Sequence, residues 1–255
     1  IISIVATSGL LILAIASYFQ NGANPHIYQM GAWQLPYGIA LVQDPLSTFM
    51  LIIVNLISLT SLIYSLSYIR HLSQDWKYYA LFMLLLAGMN GVLVTGDLFN
   101  LYVFMEIALL AAFALVAYGT RAEEFEAAFK YAVMGSVSSL LILLAIAITY
   151  SVTSTLTLVK IAEILPTVDP TLVKWIGGVF LAGFGLKAAA MPFHAWLPDA
   201  HSSAPAPISS MLSGVLIKVL GVYVITRIYY NVFGAPIEFL NAFLVIGAIS
   251  IILSG

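Results

Sequence analysis

No cysteine occurs among the 255 residues, and charged residues make up only 8% of the chain. The lack of cysteine excludes disulfides, thiolate metal sites and iron–sulfur ligation in this chain. A typical soluble domain has about 25% charged residues. The formal net charge of −2 gives no basis for binding nucleic acid. The four histidines, which are His26, His71, His194 and His201, are too scattered to predict a metal site. We therefore expect neither a metal nor a cofactor here.

Apolar residues dominate instead, with 62% hydrophobic residues and a mean hydropathy of +1.05. This composition predicts an all-α polytopic membrane protein. A spanning helix needs about 20 apolar residues, and about eight segments qualify in whole or in part. They lie near 1–19, 46–69, 78–95, 98–118, 127–150, 172–191, 206–230 and 238–255. The chain opens and stops inside apolar runs and has no initiator Met, so we expect a fragment of a longer subunit.

Residues 78–118 form a long apolar block interrupted only by Thr95-Gly96-Asp97. About 40 residues are too many for one spanning helix, which predicts a helical hairpin. We expect Asp97 to cap the second arm, since a carboxylate suits a helix N-terminus. Asp44 and Asp199 are predicted to be caps or hairpin anchors as well. Segments 20–45 and 119–126 are predicted to be a loop and a solvated turn.

Three charged residues fall inside the apolar segments: Glu106, Lys187 and Lys218. A lysine near a bilayer centre costs about 2.5–3.5 kcal/mol, so such residues are functional-site hypotheses by default. Together they suggest a path for protons or cations. For Glu106, a helix-packing ion pair or a neutral, hydrogen-bonded carboxyl is the structural alternative. For Lys187, which lies near a segment end, the alternative is that its head group snorkels to the interface.

Lys187 precedes Pro192 by five residues, which predicts a proline-broken helix near 187–192. Discontinuous helices of this kind occur at ion sites in transporters. Gly183 and Gly214 each stand four residues before a lysine. They either open space below the ammonium group or serve helix packing.

Two histidines, His194 and His201, flank the sequence WLPD at 196–199. A histidine can shuttle protons near neutral pH, so both are candidate relays. The alternative is that they are ordinary hydrogen-bonded loop histidines.

An ion pair between Glu106 and Lys187 would give these charges a mechanism. At ~4 Å and an effective dielectric constant near 20, such a pair is worth ~4 kcal/mol. Breaking the pair would free Lys187 to repel a proton held on Lys218. Making and breaking one ion pair could then switch Lys218 between holding and releasing a proton.

Four motifs resemble the antiporter-like membrane subunits. They are DPLS at 44–47, TGDLFNLYVFME at 95–106, KAAAMPFHAWLPDAH at 187–201 and SSAPAP at 202–207, continued by Lys218. This family includes proton-pumping subunits of respiratory complex I, the D-type subunit of Mrp sodium/proton antiporters and the H-type subunit of membrane-bound hydrogenases. The sequence GDLFN with its spacing to Glu106 looks closest to the Mrp D-type and hydrogenase branch.

The resemblance implies a fourteen-helix fold with two inverted five-helix repeats, each containing a broken helix. Residues 1–255 would then be one membrane domain. It would comprise peripheral helices at 1–70, the first repeat with its half-channel at 78–231, and the start of the second repeat at 238–255. By motif, Glu106 matches the pairing glutamate, Lys187 the broken-helix lysine and Lys218 the central lysine. His201 falls where some members of the family carry a relay histidine.

The resemblance also implies a proton-translocating, redox-driven subunit of a multi-subunit complex in the cell membrane of a prokaryote. Its partners would be other membrane subunits, the lipid bilayer and H⁺, with Na⁺ as a second candidate ion. Iron–sulfur or other redox centres are expected only in partner subunits, so enzymatic activity would belong to the complex. One alternative is a Mrp-type sodium/proton antiporter subunit without a redox partner. Another is a structural scaffold whose buried charges only pack helices.

Overall fold

The computed structural model describes residues 1–21, 24–33, 38–69, 75–119 and 121–254. The described chain is almost entirely helical, with one small antiparallel hairpin of β1 (His26–Gln29) and β2 (Ala40–Gln43). The helices are α1 (Ile2–Asn21), α2 (Pro45–Tyr68), α3 (Asp75–Val94), α4 (Leu98–Val116), α5 (Ala122–Thr153), α6 (Leu158–Ile164), α7 (Pro170–Lys187), α8 (Leu197–Ser203), α9 (Ala206–Val232) and α10 (Ile237–Ser254).

Within the described ranges, six helices are long and apolar enough to cross a membrane. They are Ile2–Gln20, Pro45–Tyr68, Trp76–Val94, Leu98–Gly119, Ala122–Thr153 and Ala206–Val232. The predicted count of eight is therefore not confirmed. Helix α7 has 18 residues and contains two lysines, Lys174 and Lys187, which lower its hydropathy. It also ends before the predicted boundary at 191, since the backbone is in the left-handed conformation at Ala189, where φ is 51°. Helix α10 is apolar but short.

The predicted hairpin over 78–118 is confirmed as helices α3 and α4. Asp97 caps α4, since its Oδ1 accepts a hydrogen bond of 2.7 Å from the backbone N of Asn100. The two arms approach closely at Gly88, where an added Cβ would lie 2.6 Å from the backbone N of Ala108. Asp44 is likewise the predicted cap, in a reciprocal capping box with Ser47 at the start of α2.

Three predictions about loops and caps are wrong. Segment 20–45 was predicted to be a loop but contains the strands β1 and β2. Each strand has four residues, which are too few to give a clear alternating pattern in the sequence. Most of 119–126 is the first turn of α5, where the Glu124 carboxylate accepts a 3.0 Å hydrogen bond from the backbone N of Arg121. Asp199 lies inside the first turn of α8 and forms a 2.8 Å ion pair with Lys130 of α5.

Helices α2 and α9 are joined near both ends. At one end, Ser61 Oγ donates a 2.6 Å hydrogen bond to Pro207 O. At the other, the Arg227 guanidinium forms a bidentate ion pair with Asp44. Although burial alone would raise the pKa of Asp44, the bonds from Arg227 and Ser47 hold that pKa below its usual value.

The Arg227 contact extends to α3, because Arg227 Nε donates to Tyr223 OH at 2.9 Å and that hydroxyl donates to Leu93 O at 2.8 Å. Helix α9 itself is not a regular α-helix. Its stretches Leu212–Leu216, Lys218–Tyr223 and Arg227–Val232 have π-helical hydrogen bonding. The three-helix contact therefore holds the end of α9 that follows Lys218.

Candidate functional site

Lys187 is the last residue of α7, and only 2% of its side chain is exposed. This burial excludes snorkelling as the explanation for Lys187. The predicted break after it is present, since the chain does not resume a helix until Leu197. The helix ends at Lys187, and the backbone is in the left-handed conformation at Ala189. Both features precede Pro192. The break therefore leaves the lysine at a helix end while keeping its head group enclosed by protein.

The Lys187 ammonium faces α4 and α5. Its Nζ lies 3.5 Å from Glu106 Oε1 of α4 and donates a 2.8 Å hydrogen bond to Ser139 Oγ of α5. Ser139 Oγ in turn donates to Glu106 Oε1. Lys187 Nζ also lies 3.5 Å from the backbone O of Gly135 in α5. The Glu106–Lys187 ion pair considered from the sequence is therefore present, and the Ser139 hydroxyl bridges its two members.

Close packing of α5 against α7 places these groups together. A Cβ added to Gly183 would lie 2.6 Å from Ile142 Cγ1, so only glycine fits without displacement. Ser138 Oγ donates a 2.7 Å hydrogen bond to Gly183 O at the same crossing. Of the two interpretations of Gly183, helix packing is the one that the structure supports.

Two stacked aromatic rings hold the broken connection over Lys187. The Trp196 ring lies parallel to the Tyr131 ring of α5, with centroids 4.6 Å apart and 3° between the planes. Trp196 Nε1 donates a 3.3 Å hydrogen bond to Leu186 O, next to Lys187. Both rings also line a cavity of about 10 Å³, together with Lys187 and apolar residues of α9 such as Leu216. This volume is at the lower limit for one water molecule.

Lys218 lies on α9 with its side chain exposed. Its Nζ donates to the backbone O of Ser213. Within the described part of the chain, Lys218 has no ion-pair partner. The position of Gly214 is open, because an added Cβ would meet Ile57 only at 3.5 Å, an ordinary van der Waals distance. The structure therefore brings Glu106 and Lys187 together and leaves Lys218 apart.

His201 is half-buried in the last turn of α8, where its backbone O accepts a 3.0 Å hydrogen bond from Ser209 Oγ. Burial lowers the pKa of His201, and repulsion from the Lys218 ammonium lowers it further. His194 is exposed in the turn before α8. Among the described residues, no group of three or more His, Cys, Asp or Glu side chains could hold a metal. His71 lies outside the described residues.

Sequence reasoning missed the contribution of α5 to this site. Ser139 and Gly135 contact the ammonium, and Tyr131 supports the broken connection. A usable signal was present, since hydroxyl residues at 136, 138 and 139 cluster in the middle of a largely apolar segment. Polar side chains at membrane depth cross-link helices, and that rule applies to serine as well as to charged residues.

The fold and the site define a polytopic helical membrane protein with a lysine–glutamate pair buried beside a broken helix. The family model described as "NADH:quinone oxidoreductase/Mrp antiporter, TM" matches residues 95–255. A second model, "NADH-Ubiquinone oxidoreductase (complex I), chain 5 N-terminus", matches residues 29–90. The chain belongs to this family of antiporter-like membrane subunits, as its motifs predicted.

Curated relatives come from more than one kind of complex. The N subunit of NADH-quinone oxidoreductase from Desulforudis audaxviator is 37% identical over 244 residues, covering 91% of this chain and 48% of the relative. The D-type Na(+)/H(+) antiporter subunit of Alkalihalophilus pseudofirmus is 32% identical over 250 residues, covering 96% of this chain and 50% of the relative. The chain thus spans about half the length of these relatives.

Solved structures show the same fold. A chain of the membrane-bound sulfane sulfur reductase, an archaeal respiratory membrane complex, is 33% identical with a TM-score of 0.85, covering 89% of this chain and 47% of that one. A chain of the Mrp complex from Dietzia sp. DQ12-45-1b is 28% identical with a TM-score of 0.81, covering 91% of this chain and 44% of that one. Both neighbours are chains of membrane complexes.

Proposed function

We propose that this chain belongs to a proton-translocating subunit and carries protons along Glu106, Lys187 and Lys218. The observation that supports this best is the enclosed Lys187 ammonium, bridged to Glu106 through Ser139 where α7 breaks. Desolvation makes a buried ion pair weak as a stabilising device. A pair kept at membrane depth beside a helix break is better suited to moving charge.

In the proposed mechanism, the Glu106–Lys187 pair is a switch. When the pair is closed, the opposite charges of Glu106 and Lys187 largely cancel at the distance of Lys218. When it opens, the Lys187 ammonium repels a proton held on Lys218. His201, whose pKa is lowered by burial and then by Lys218, is the proposed relay to that lysine. His194 is a more distant candidate because it is exposed.

We further propose that the subunit works in a multi-subunit, redox-driven complex in a prokaryotic cell membrane, with redox centres confined to partner subunits. Residues 78–231 would be the first inverted repeat, flanked by peripheral helices at 1–70 and by the start of the second repeat at 238–255. A Mrp-type sodium/proton antiporter without redox partners has equal support, because relatives named for both kinds of complex match. Soluble redox subunits that co-purify with the protein would decide between these two functions.

The test is transport of protons and sodium ions by vesicles that contain the full-length subunit in its intact complex, with and without Lys218→Ala. Assembly is checked on a native gel. We expect the variant to assemble, because the hydrogen bond of Lys218 within the described chain goes to a backbone carbonyl of its own helix. We expect transport to be lost, because the proposed path passes through this ammonium group. If the variant assembles and transports normally, we would conclude that this chain is a structural scaffold and that the ion path lies in another subunit.

A further inference from the structure

The hydroxyl of Ser139 contacts both members of the ion pair. Its Oγ accepts a 2.8 Å hydrogen bond from Lys187 Nζ and donates to Glu106 Oε1. The two charged groups are themselves 3.5 Å apart, which is longer than a usual N–H···O hydrogen bond. The serine therefore offers a connected donor–acceptor chain between two groups whose direct contact is poorer.

We propose that Ser139 transfers the proton between Lys187 and Glu106, which makes the pair a conducting step of the path. In this step an N–H bond of the Lys187 ammonium breaks while an O–H bond forms at Ser139 Oγ. The original O–H bond of Ser139 breaks as one forms at Glu106 Oε1. The products are a neutral amine, an unchanged serine and a neutral carboxylic acid. No other reactant is needed, and the reverse step restores the ion pair.

Burial limits how long the switch can stay open, and it favours this route for discharging the closed pair. Pulling Lys187 away from Glu106 would leave an enclosed ammonium without a carboxylate, and isolated buried charges are strongly disfavoured. Transfer through Ser139 removes both charges at once and needs no movement of either helix. It also delivers the proton from a side chain that is 2% exposed to one that is 30% exposed. The proton can then leave from the Glu106 side.

The same hydroxyl can interrupt the connection. Ser139 Oγ also lies 2.9 Å from Gly135 O, one turn earlier in α5, and can donate its single hydrogen there instead. With the hydrogen directed to Glu106, the chain from Lys187 is continuous. With the hydrogen directed to Gly135, it is broken. Rotation about one side-chain bond of Ser139 thus connects or disconnects the two titratable groups.

This inference rests on the proposed proton path, so the experiment separates the two. Full-length subunits with Ser139→Ala, Ser139→Cys, Ser139→Thr, Thr149→Val or Glu106→Gln are assembled in the native complex, and proton transport is measured in vesicles. Thr149→Val is the matched control, because the Thr149 hydroxyl is buried on the same helix and donates a 2.7 Å hydrogen bond within α5, to Ala145 O. A thiol is a weak donor and acceptor, so Ser139→Cys keeps the volume but not the hydroxyl. Ser139→Thr keeps the hydroxyl.

We expect Ser139→Ala and Ser139→Cys to slow transport at least about tenfold, since positioned proton transfer typically contributes 10²–10⁴-fold. Ser139→Thr should restore most of the rate, and Thr149→Val should stay within about twofold of wild type. Time-resolved infrared spectra supply a second readout, the acid band of protonated Glu106, assigned by its loss in Glu106→Gln. This band should form more slowly in Ser139→Ala by the same factor as transport.

Several results would overturn the role of Ser139. These are wild-type transport in Ser139→Ala, equal losses in Ser139→Ala and Thr149→Val, or no recovery in Ser139→Thr. If Ser139→Ala does not assemble, Ser139→Cys and Ser139→Thr decide by the same criteria. Normal transport in assembled Glu106→Gln would instead remove the proton path itself. An inactive Glu106→Gln together with an active Ser139→Ala would remove only the serine.

Discussion

Lys187 and Lys218 each follow a glycine four residues earlier in an apolar helix, yet the fold treats them differently. Lys187 is enclosed by α4, α5 and α7 and has both a carboxylate and a hydroxyl partner. Lys218 is exposed on α9, and among the described residues it bonds only to the backbone O of Ser213. A shared glycine–lysine spacing in an apolar helix therefore does not imply the same structural environment for the two lysines. Helix packing decides which ammonium is buried, and packing depends on residues far away in the sequence.

Loss of the Glu106 carboxylate should have the largest effect on transport. Glu106→Gln keeps the shape of the side chain but removes both its charge and its capacity to accept a proton. We expect transport by the intact complex to fall at least about 100-fold while assembly is retained. Vesicle transport with a native-gel control measures this. Normal transport in the assembled variant would remove the ion-pair switch.

Truncation of the two lysines should separate them by stability. Lys187→Ala leaves the Glu106 carboxylate without its cation, and removing one partner of a buried pair costs about 3–5 kcal/mol. Because 30% of the Glu106 side chain is exposed, we expect the low end, about 3 kcal/mol. Lys218→Ala should change stability by no more than about 0.5 kcal/mol, as an exposed side chain does. Thermal unfolding of the purified complex measures both, and similar losses would contradict the contrast between the two lysines.

The paired glycines provide a smaller but cleaner comparison. In Gly183→Ala the new Cβ would lie 2.6 Å from Ile142 Cγ1, so either the Ile142 side chain or the two helices must shift. Overpacking of this kind costs about 1–3 kcal/mol, and the shift should also weaken the Lys187–Ser139 contact. Gly214→Ala should be nearly neutral, since its nearest neighbour would be 3.5 Å away. If both variants lose the same stability and transport, the close approach at Gly183 does not position the ion pair.

The smallest of these effects is expected at His201. His201→Ala should slow transport by less than about tenfold, because water can replace a single relay group that is only half-buried. Lys218→Ala in the same vesicles serves as the reference. A greater loss at His201 than at Lys218 would reverse the ranking and make the histidine the main acceptor on that side.

Local signals in the sequence predicted the parts of this molecule that depend on local physics. The caps at Asp44 and Asp97, the helical hairpin and the broken helix follow from residue types within a few positions. The Glu106–Lys187 pair was reached as a hypothesis, because an apolar environment demands a partner for a buried charge.

Contacts between distant segments could not be predicted in this way. The Ser139 bridge, the Trp196–Tyr131 stack and the burial of one lysine but not the other depend on how α5 crosses α7. No local pattern encodes that crossing. The eight-span count was not confirmed for a related reason. A hydropathy profile does not show where a residue in the left-handed conformation, such as Ala189, ends a helix.

The ion pair between Asp44 and Arg227 has a consequence for biogenesis. The two residues are 183 positions apart in the chain. At a synthesis rate of about 5–20 residues per second, Asp44 emerges roughly 10–40 seconds before its partner. During that interval α2 is present in the membrane without the contact that ties it to α9. The α2–α9 interface must therefore form late, after the intervening helices have been inserted.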